Sequence, residues 1–401
     1  MAKQGAKTAV PRLRFPEFVG KPFREVHLKD LTSESITRNV DGLSTKSVMG
    51  VTKAEGIVPM EERLIASDIA RYKVVQKDWF AYNPMRLNIG SIARWQGDSD
   101  ILVSPDYVVF QCSKGLGSEI APAYLDHFRQ SGAWEKFVTE GGDGSVRVRI
   151  YYKDLARLQV TLPSLAEQKK IADCLTSLDE VIAVQGCKVE ALKAHKRGLM
   201  QQLFPREGET RPRLRFPEFR DAPEWKWTTL NRVCDMQAGK FVSASEISDE
   251  PGEGTYSCYG GNGLRGFTKS FTHSGVFPLI GRQGALCGNV QFAKGEFHAT
   301  EHALVATPQA GVNVTWLYYT LGKLELNKYA TGQAQPGLSV DVLKSVECSV
   351  PATETEQKRI ADCLSSLDTR ITAEADLLAT LKTHKQGLMQ QLFPAPEATC
   401  A

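Results

Sequence analysis

Glu167-Gln-Lys-Lys-Ile-Ala-Asp-Cys-Leu-Thr-Ser-Leu-Asp-Glu-Val-Ile182 opens a segment that closes with Gly198-Leu-Met-Gln-Gln-Leu-Phe-Pro205, and the chain contains that segment twice. The second copy runs from Glu356 to Pro394, and 24 of the 39 positions are identical. A shorter marker, Pro11-Arg-Leu-Arg-Phe-Pro-Glu-Phe18, recurs as Pro212-Arg-Leu-Arg-Phe-Pro-Glu-Phe219. The offset is 201 between the short markers and 189 between the long segments, so the second intervening block is 12 residues shorter. Between the markers the two blocks share little sequence. The layout is a variable block, a constant segment, and the same again.

The constant segments read as long helices. Ile171, Leu178, Leu192 and Leu199 recur at heptad spacing, and Leu175, Ile182, Val189 and Leu203 form the adjoining row. The second copy repeats both rows with Ile360, Leu367, Leu381, Leu388 and Leu364, Ile371, Leu378, Leu392. Such a pattern makes a seam that another helix must cover. Ser164 with Glu167, and Thr353 with Glu356, match a capping box at the helix start. Pro205 and Pro394 mark the stops. At about 1.5 Å per residue each rod is about 60 Å long. The first holds four acids and two bases over 163–185, then one acid and four bases over 186–205. That polarity suits an antiparallel partner of the same pattern. Gln185 and Glu374, and Lys196 and Lys385, occupy aligned polar positions on the stripe, where they cost stability but fix register.

The expected architecture is α+β, with two mixed α/β domains separated and bridged by two long antiparallel, coiled-coil-like helices in a pseudo-twofold repeat. The expected boundaries are 1–162, 163–205, 206–349 and 350–401. Tyr107–Phe110, Val146–Tyr152 and Val276–Ile280 read as strands, Ala123–Trp134 and Thr315–Asn327 as helices.

The 401 residues carry 49 Lys+Arg against 46 Asp+Glu, a net charge of +3, and 42% are apolar. This excludes collagen-like and wholly disordered chains, and a polybasic, sequence-blind nucleic-acid coat. No signal-peptide core and no membrane-length apolar run is seen. The nine cysteines form no C-x-x-C pair, as expected for reduced thiols in a cytoplasmic protein. The second block balances 15 bases against 15 acids, yet Gly254–Gly295 holds no acid and four bases, Arg265, Lys269, Arg282 and Lys294. Trp79–Gly97 also lacks acids and places Arg86 and Arg94 among aromatics. Acid-free stretches with Arg, amides and glycine suit an anionic partner with readable edges, since Arg pairs bidentately with guanine or phosphate and Asn or Gln with adenine. The candidate DNA-binding residues are Lys46, Arg86, Arg94, Lys114, Arg147, Arg149, Lys240, Tyr259, Asn262, Arg265, Arg282, Gln283 and Gln335.

Catalytic patterns are weak. Gly281-Arg-Gln-Gly284 lacks the lysine and spacing of a phosphate loop. His298 and His302 have metal-like spacing in a strand-like context, and Asn83-Pro84-Met85 lacks the second proline and aromatic of an adenine-methyltransferase loop. Neither catalytic residues nor a metal site are expected.

The layout resembles a specificity subunit of a type I restriction-modification system. The residues carrying the resemblance are Leu162-Pro-Ser-Leu-Ala-Glu-Gln-Lys-Lys-Ile-Ala172, Glu356-Gln-Lys-Arg-Ile-Ala361 and both Gly-Leu-Met-Gln-Gln-Leu-Phe-Pro endings. Tyr259-Gly-Gly-Asn-Gly-Leu-Arg-Gly266, Ile280-Gly-Arg-Gln-Gly284 and Gln335-Pro-Gly-Leu-Ser339 resemble one type of target-recognition domain. The resemblance implies a non-catalytic chain whose variable blocks each read half of a bipartite, asymmetric site on double-stranded DNA. Its helices would set the spacer and dock two modification subunits, which a restriction and translocase subunit joins. S-adenosylmethionine, ATP and Mg would then belong to the partner subunits, with no cofactor on this chain and no membrane. A coiled-coil scaffold whose variable domains bind protein ligands is the competing reading.

Overall fold

The structure is a computed structural model that describes residues 11–40, 42–113, 119–140, 149–284, 286–332 and 336–393. In chain order the first block contains strands β1 (Arg24–His27), β2 (Thr32–Ser35), β3 (Met49–Thr52), β4 (Gly56–Pro59), β5 (Lys73–Val75), β6 (Phe80–Tyr82), β7 (Ile92–Arg94), β8 (Ile101–Val103) and β9 (Val108–Cys112). Helices α1 (Pro122–Phe128), α2 (Gly132–Glu140) and α3 (Tyr152–Leu155) and strand β10 (Gln159–Leu162) lead into the long helix α4 (Leu165–Leu203). The second block contains β11 (Lys226–Thr229), β12 (Cys234–Ala238), β13 (Tyr256–Gly260), β14 (Gly263–Thr268), β15 (His273–Gly281), β16 (Val290–Ala299) and β17 (Ala303–Pro308). It continues through α5 (Val314–Lys323), α6 (Val340–Lys344) and β18 (Glu347–Val350) to α7 (Glu354–Leu392).

Two compact units result. The first comprises Met1–Gln185 and Leu377–Ala401, the second Gly186–Asp376. Each unit thus takes one half of α4 and one half of α7. In the first, Ile171 and Leu175 are buried with Met389, Leu392 and Phe393, and Asp179 pairs with Lys385. In the second, Leu203 and Phe204 share a core with Ile360 and Leu364, while Lys188 pairs with Glu374 and Lys196 with Asp368. Numbers rise on one helix as they fall on the other, so the halves run antiparallel in each unit. Leu178, Ile182, Leu192, Leu199, Leu367, Ile371, Leu381 and Leu388 are half-buried.

The repeated short marker is a clasp on the start of each long helix. Arg14 donates to both carboxylate oxygens of Glu167 (2.9 and 2.6 Å) and to the Lys21 carbonyl (2.7 Å). Arg215 does the same to Glu356 (2.7 and 2.7 Å) and the Ala222 carbonyl (2.7 Å). Glu17 pairs with Lys170, and Glu218 with Arg359. The capping-box reading is therefore half right. The Ser164 and Thr353 hydroxyls accept from the Glu167 and Glu356 amides, but both glutamates give their carboxylates to arginine. Planar fork-to-fork pairing with Arg is the stronger use of a buried carboxylate. The next residue is also used twice. Gln168 accepts from the Ala121 amide just before α1, and Gln357 from the amide of Asn313, whose side chain caps α5.

Three local readings need correction. The helix expected over Thr315–Asn327 ends at Lys323, because Glu325 is left-handed (φ 48°) and a separate 3-10 turn follows. The helix expected over Ala123–Trp134 is broken into α1 and α2, with Ser131 at the break and its hydroxyl accepting from the Trp134 amide. The strand expected over Val146–Tyr152 is not formed in its described part, because Tyr151 caps α3, in which Tyr152 lies. Among the described residues no helix is long and apolar enough to cross a membrane.

Candidate nucleic-acid interface

The two variable blocks share a sheet order that their sequences conceal. The first unit has the order β2-β9-β6-β7, and the second has β12-β17-β15-β16, extended by β13-β14. Ala81 pairs with Val109 in the first and Leu279 with Val305 in the second. This register makes the β6–β7 connection the counterpart of the β15–β16 connection. A further pair of bonds supports the equivalence. The Ile150 amide donates to the Pro84 carbonyl (3.0 Å), and the Leu338 amide to the Arg282 carbonyl (2.9 Å). Pro84 and Arg282 each lie three residues beyond the matched strand residue.

In the second unit the Ala299–Ala303 turn acts as a hub. It accepts from the Lys240 amide at Ala299 (2.8 Å), the Arg282 amide at His302 (2.9 Å) and the Gly239 amide at Ala303 (3.0 Å), and its Thr300 amide donates to Tyr259 (2.9 Å). Glycines make this convergence possible. A Cβ on Gly281 would stand 2.0 Å from the Gly261 carbonyl oxygen, and one on Gly239 2.0 Å from that of Ala299. Lys240, Tyr259, Asn262, Arg282 and Gln283 are thereby brought into one loop cluster. Lys240, Asn262 and Gln283 are exposed, whereas Tyr259 and Arg282 are half-buried, Tyr259 packing edge-on to Phe297. Arg265 is exposed on β14. His298 is occupied by the Ser270 hydroxyl (3.4 Å) and the Lys240 carbonyl (3.1 Å), so its ring braces the Lys240 loop. Among the described residues no cluster of His, Cys, Asp or Glu could hold a metal ion.

In the first unit Arg86 is exposed in the β6–β7 connection, where the Asn83 side chain accepts from the Met85 amide (2.9 Å) and the Asn83 carbonyl from the Arg86 amide (2.9 Å). The Ile150–Pro84 bond brings the exposed Arg149 to the same loop. Lys46 is exposed in a short 3-10 turn between β2 and β3. Arg94 departs from expectation. Its side chain is 13% exposed and held by Asp78 (2.7 Å) and Asp126 (3.3 Å), so its charge is neutralised inside the fold. An isolated buried guanidinium would be too costly to leave unpaired. Lys114, Arg147 and Gln335 lie outside the described residues. Sequence reading missed Phe241 beside Lys240, which is 75% exposed, and the signal that finds it is burial alone.

The type I restriction modification DNA specificity domain model matches residues 134–194 and 223–383, more than half of the chain. The chain belongs to that family. Among specificity subunits, that of the type I restriction enzyme EcoprrI of Escherichia coli is 46% identical over 150 residues, 37% of each chain. That of MjaVIII from Methanocaldococcus jannaschii is 25% identical over 286 residues, 65% of this chain and 67% of the other. The matched stretch thus spans well under half of the Escherichia coli subunit. The specificity-subunit fold is shared with the crystal structure of a type I restriction-modification S subunit from M. genitalium, with a TM-score of 0.66 at 13% identity over 97% of this chain and 100% of that one. A second structure, described as the basis of complex assembly and conformational transition of the type I R-M system, gives 0.55 at 18% identity over 94% and 98%. The chain thus carries two sheets with one strand order in common and different loop residues.

Proposed function

We propose that this chain is the non-catalytic DNA reader of a type I restriction-modification complex, each unit reading one half of an asymmetric bipartite site. One observation carries the reading. The β6–β7 and β15–β16 connections are equivalent in the two folds, and each presents candidate readers, Arg86 in one unit and Arg282 with Gln283 in the other, with Arg149 beside the first through the Ile150–Pro84 bond. Same place and different residues is what two half-sites of different sequence require. Arg and Gln can each address a base edge in the major groove bidentately, so a few such residues fix sequence while other contacts fix position. No unit needs to be basic overall, because a selective reader gains from weak nonspecific binding. On this reading α4 and α7 set the spacer and dock two modification subunits, with a restriction and translocase subunit completing the assembly. S-adenosylmethionine, ATP and Mg serve those partners.

The test is co-expression with the cognate modification subunits, followed by single-molecule sequencing of methylated adenines. A split, asymmetric motif is expected, and exchange of residues 206–349 should alter only one half of it. An unchanged motif after block exchange defeats the proposal. DNA-independent complex formation with unmethylated genomes would favour the scaffold reading.

A further inference from the structure

The most exposed large apolar side chain in each unit, among the described residues, occupies the same loop. Val40 is 81% exposed after β2, and Phe241 is 75% exposed after β12. Both loops run from the first strand of the shared sheet to a 3-10 turn, Thr45–Ser47 or Ala244–Glu246. Both are braced by neighbouring residues. Beside Val40, the buried Asn39 side chain donates to the Leu43 carbonyl (3.0 Å) and accepts from the Leu43 amide (2.8 Å). Around Phe241, the Lys240 amide and carbonyl bond Ala299 and His298, Val242 is buried, and Ser243 and Glu246 form a reciprocal capping box.

Leaving such a phenylalanine in water forgoes the gain of burying its ring. The hub joins its loop to Arg282 and Gln283. A phosphate offers nothing to an aromatic ring, whereas base surface does, through a thymine methyl in the major groove or an opened base step. We propose that Phe241 and Val40 are the apolar base-contacting residues of the two half-sites, lying against base surface while the neighbouring Lys240 and Arg282 meet polar groups. This rests on the DNA-reading function proposed above and names the surface that function uses.

The experiment uses the complex with its modification subunits and a duplex carrying the site found by methylation sequencing. Affinity is measured over a salt series for wild type, F241A and F241L. F241A should bind its target about 5- to 50-fold more weakly. Preference should fall at one or two adjacent base pairs of the second unit's half-site, with the slope of log affinity against log salt unchanged, because no phosphate contact is lost. F241L should lose less, at an unchanged thermal midpoint. V40A should affect only the other half-site. Unaltered affinity and preference in F241A overturn the inference, as does a loss equal on all sequences. A wild-type complex with no sequence preference at that half-site would instead overturn the DNA-reading function itself.

Discussion

Lys196 on α4 lies 2.6 Å from Asp368 on α7, and its repeat counterpart Lys385 on α7 lies 2.6 Å from Asp179 on α4, the counterpart of Asp368. Each helix supplies one lysine to one unit and one aspartate to the other, so the same pair closes both units with the roles exchanged. A lysine on an apolar stripe is tolerable only where a carboxylate meets it, which is how such a pair fixes register. Asp368 also accepts from the Tyr319 hydroxyl at 2.6 Å.

Asp368→Ala should therefore cost about 1–2 kcal/mol, combining a half-exposed ion pair with one charge-assisted hydrogen bond. Lys196→Ala should cost less, because the tyrosine bond survives. The shift of the urea midpoint in a double-mutant cycle should show coupling of about 0.5–1 kcal/mol. Additive single effects would remove the pair's role.

The Arg215–Glu356 clasp is buried, with side chains 7% and 1% exposed, and the Trp225 indole donates to the same carboxylate (3.2 Å). Glu356→Ala leaves a guanidinium uncompensated and should cost about 3–5 kcal/mol, measured by denaturant unfolding. Replacing Arg215 and Glu356 together with apolar residues of similar volume should cost clearly less. Arg14 and Glu167 should behave alike in the first unit, their side chains being 8% and 1% exposed.

The first unit has His127 where the second has Tyr319. Its Nε2 meets the Thr176 hydroxyl (3.0 Å), and its buried Nδ1 lies 3.9 Å from Asp179. Burial first, then Lys385, pulls its pKa below the ordinary histidine value, against Asp179 and Asp126. Below about pH 6.5 the unfolded chain takes up a proton that the folded chain still refuses. Stability should thus fall as pH drops through that value and level off below the folded pKa. His127→Tyr should flatten part of the slope of thermal midpoint against pH. His273, also lowered chiefly by burial, would keep a separate contribution from the second unit. An unchanged slope in His127→Tyr would assign the pH dependence elsewhere.

Gly281→Ala would force a methyl against the Gly261 carbonyl oxygen, which has no flexible end to yield. The β13–β14 and β15–β16 loops must separate. Methylation should lose selectivity in the second unit's half-site alone, with the helical pairing intact by circular dichroism. Gly284→Ala is the contrast. Nothing lies within 4 Å of its Cβ position, but its φ of +87° makes alanine a modest backbone strain of about 1 kcal/mol with no steric wedge.

Arg94 and Arg282 should separate stability from reading. Arg94→Ala takes the partner from Asp78, leaves Asp126 to Arg129 alone, and should lower the thermal midpoint while leaving the methylated motif unchanged. Arg282→Ala should leave the midpoint near wild type and lose about 1–3 kcal/mol of discrimination at one position if its contact is bidentate. Uniform weakening on every sequence would assign Arg282 to phosphate instead.

The repeat, the two long helices and their antiparallel match were legible in the residues themselves, because a heptad stripe and its charge partners are encoded locally along each helix. Leu203 and Leu392 end those helices close to the prolines that announce the stops. The common sheet of the two blocks was hidden. A strand such as Phe80–Tyr82 needs only apolar bulk on its buried faces, so Pro278–Ile280 can fill the same place with no identity. The roles of single side chains also depended on neighbours far along the chain. Glu167 looked like a cap until Arg14, 153 residues away, took its carboxylate. Arg94 looked like a reader until Asp78 and Asp126 enclosed it. Sequence by itself determined the periodic architecture, since periodicity is a local property of the chain. Only the tertiary structure decided which charges face outward, because burial and pairing arise where distant segments meet.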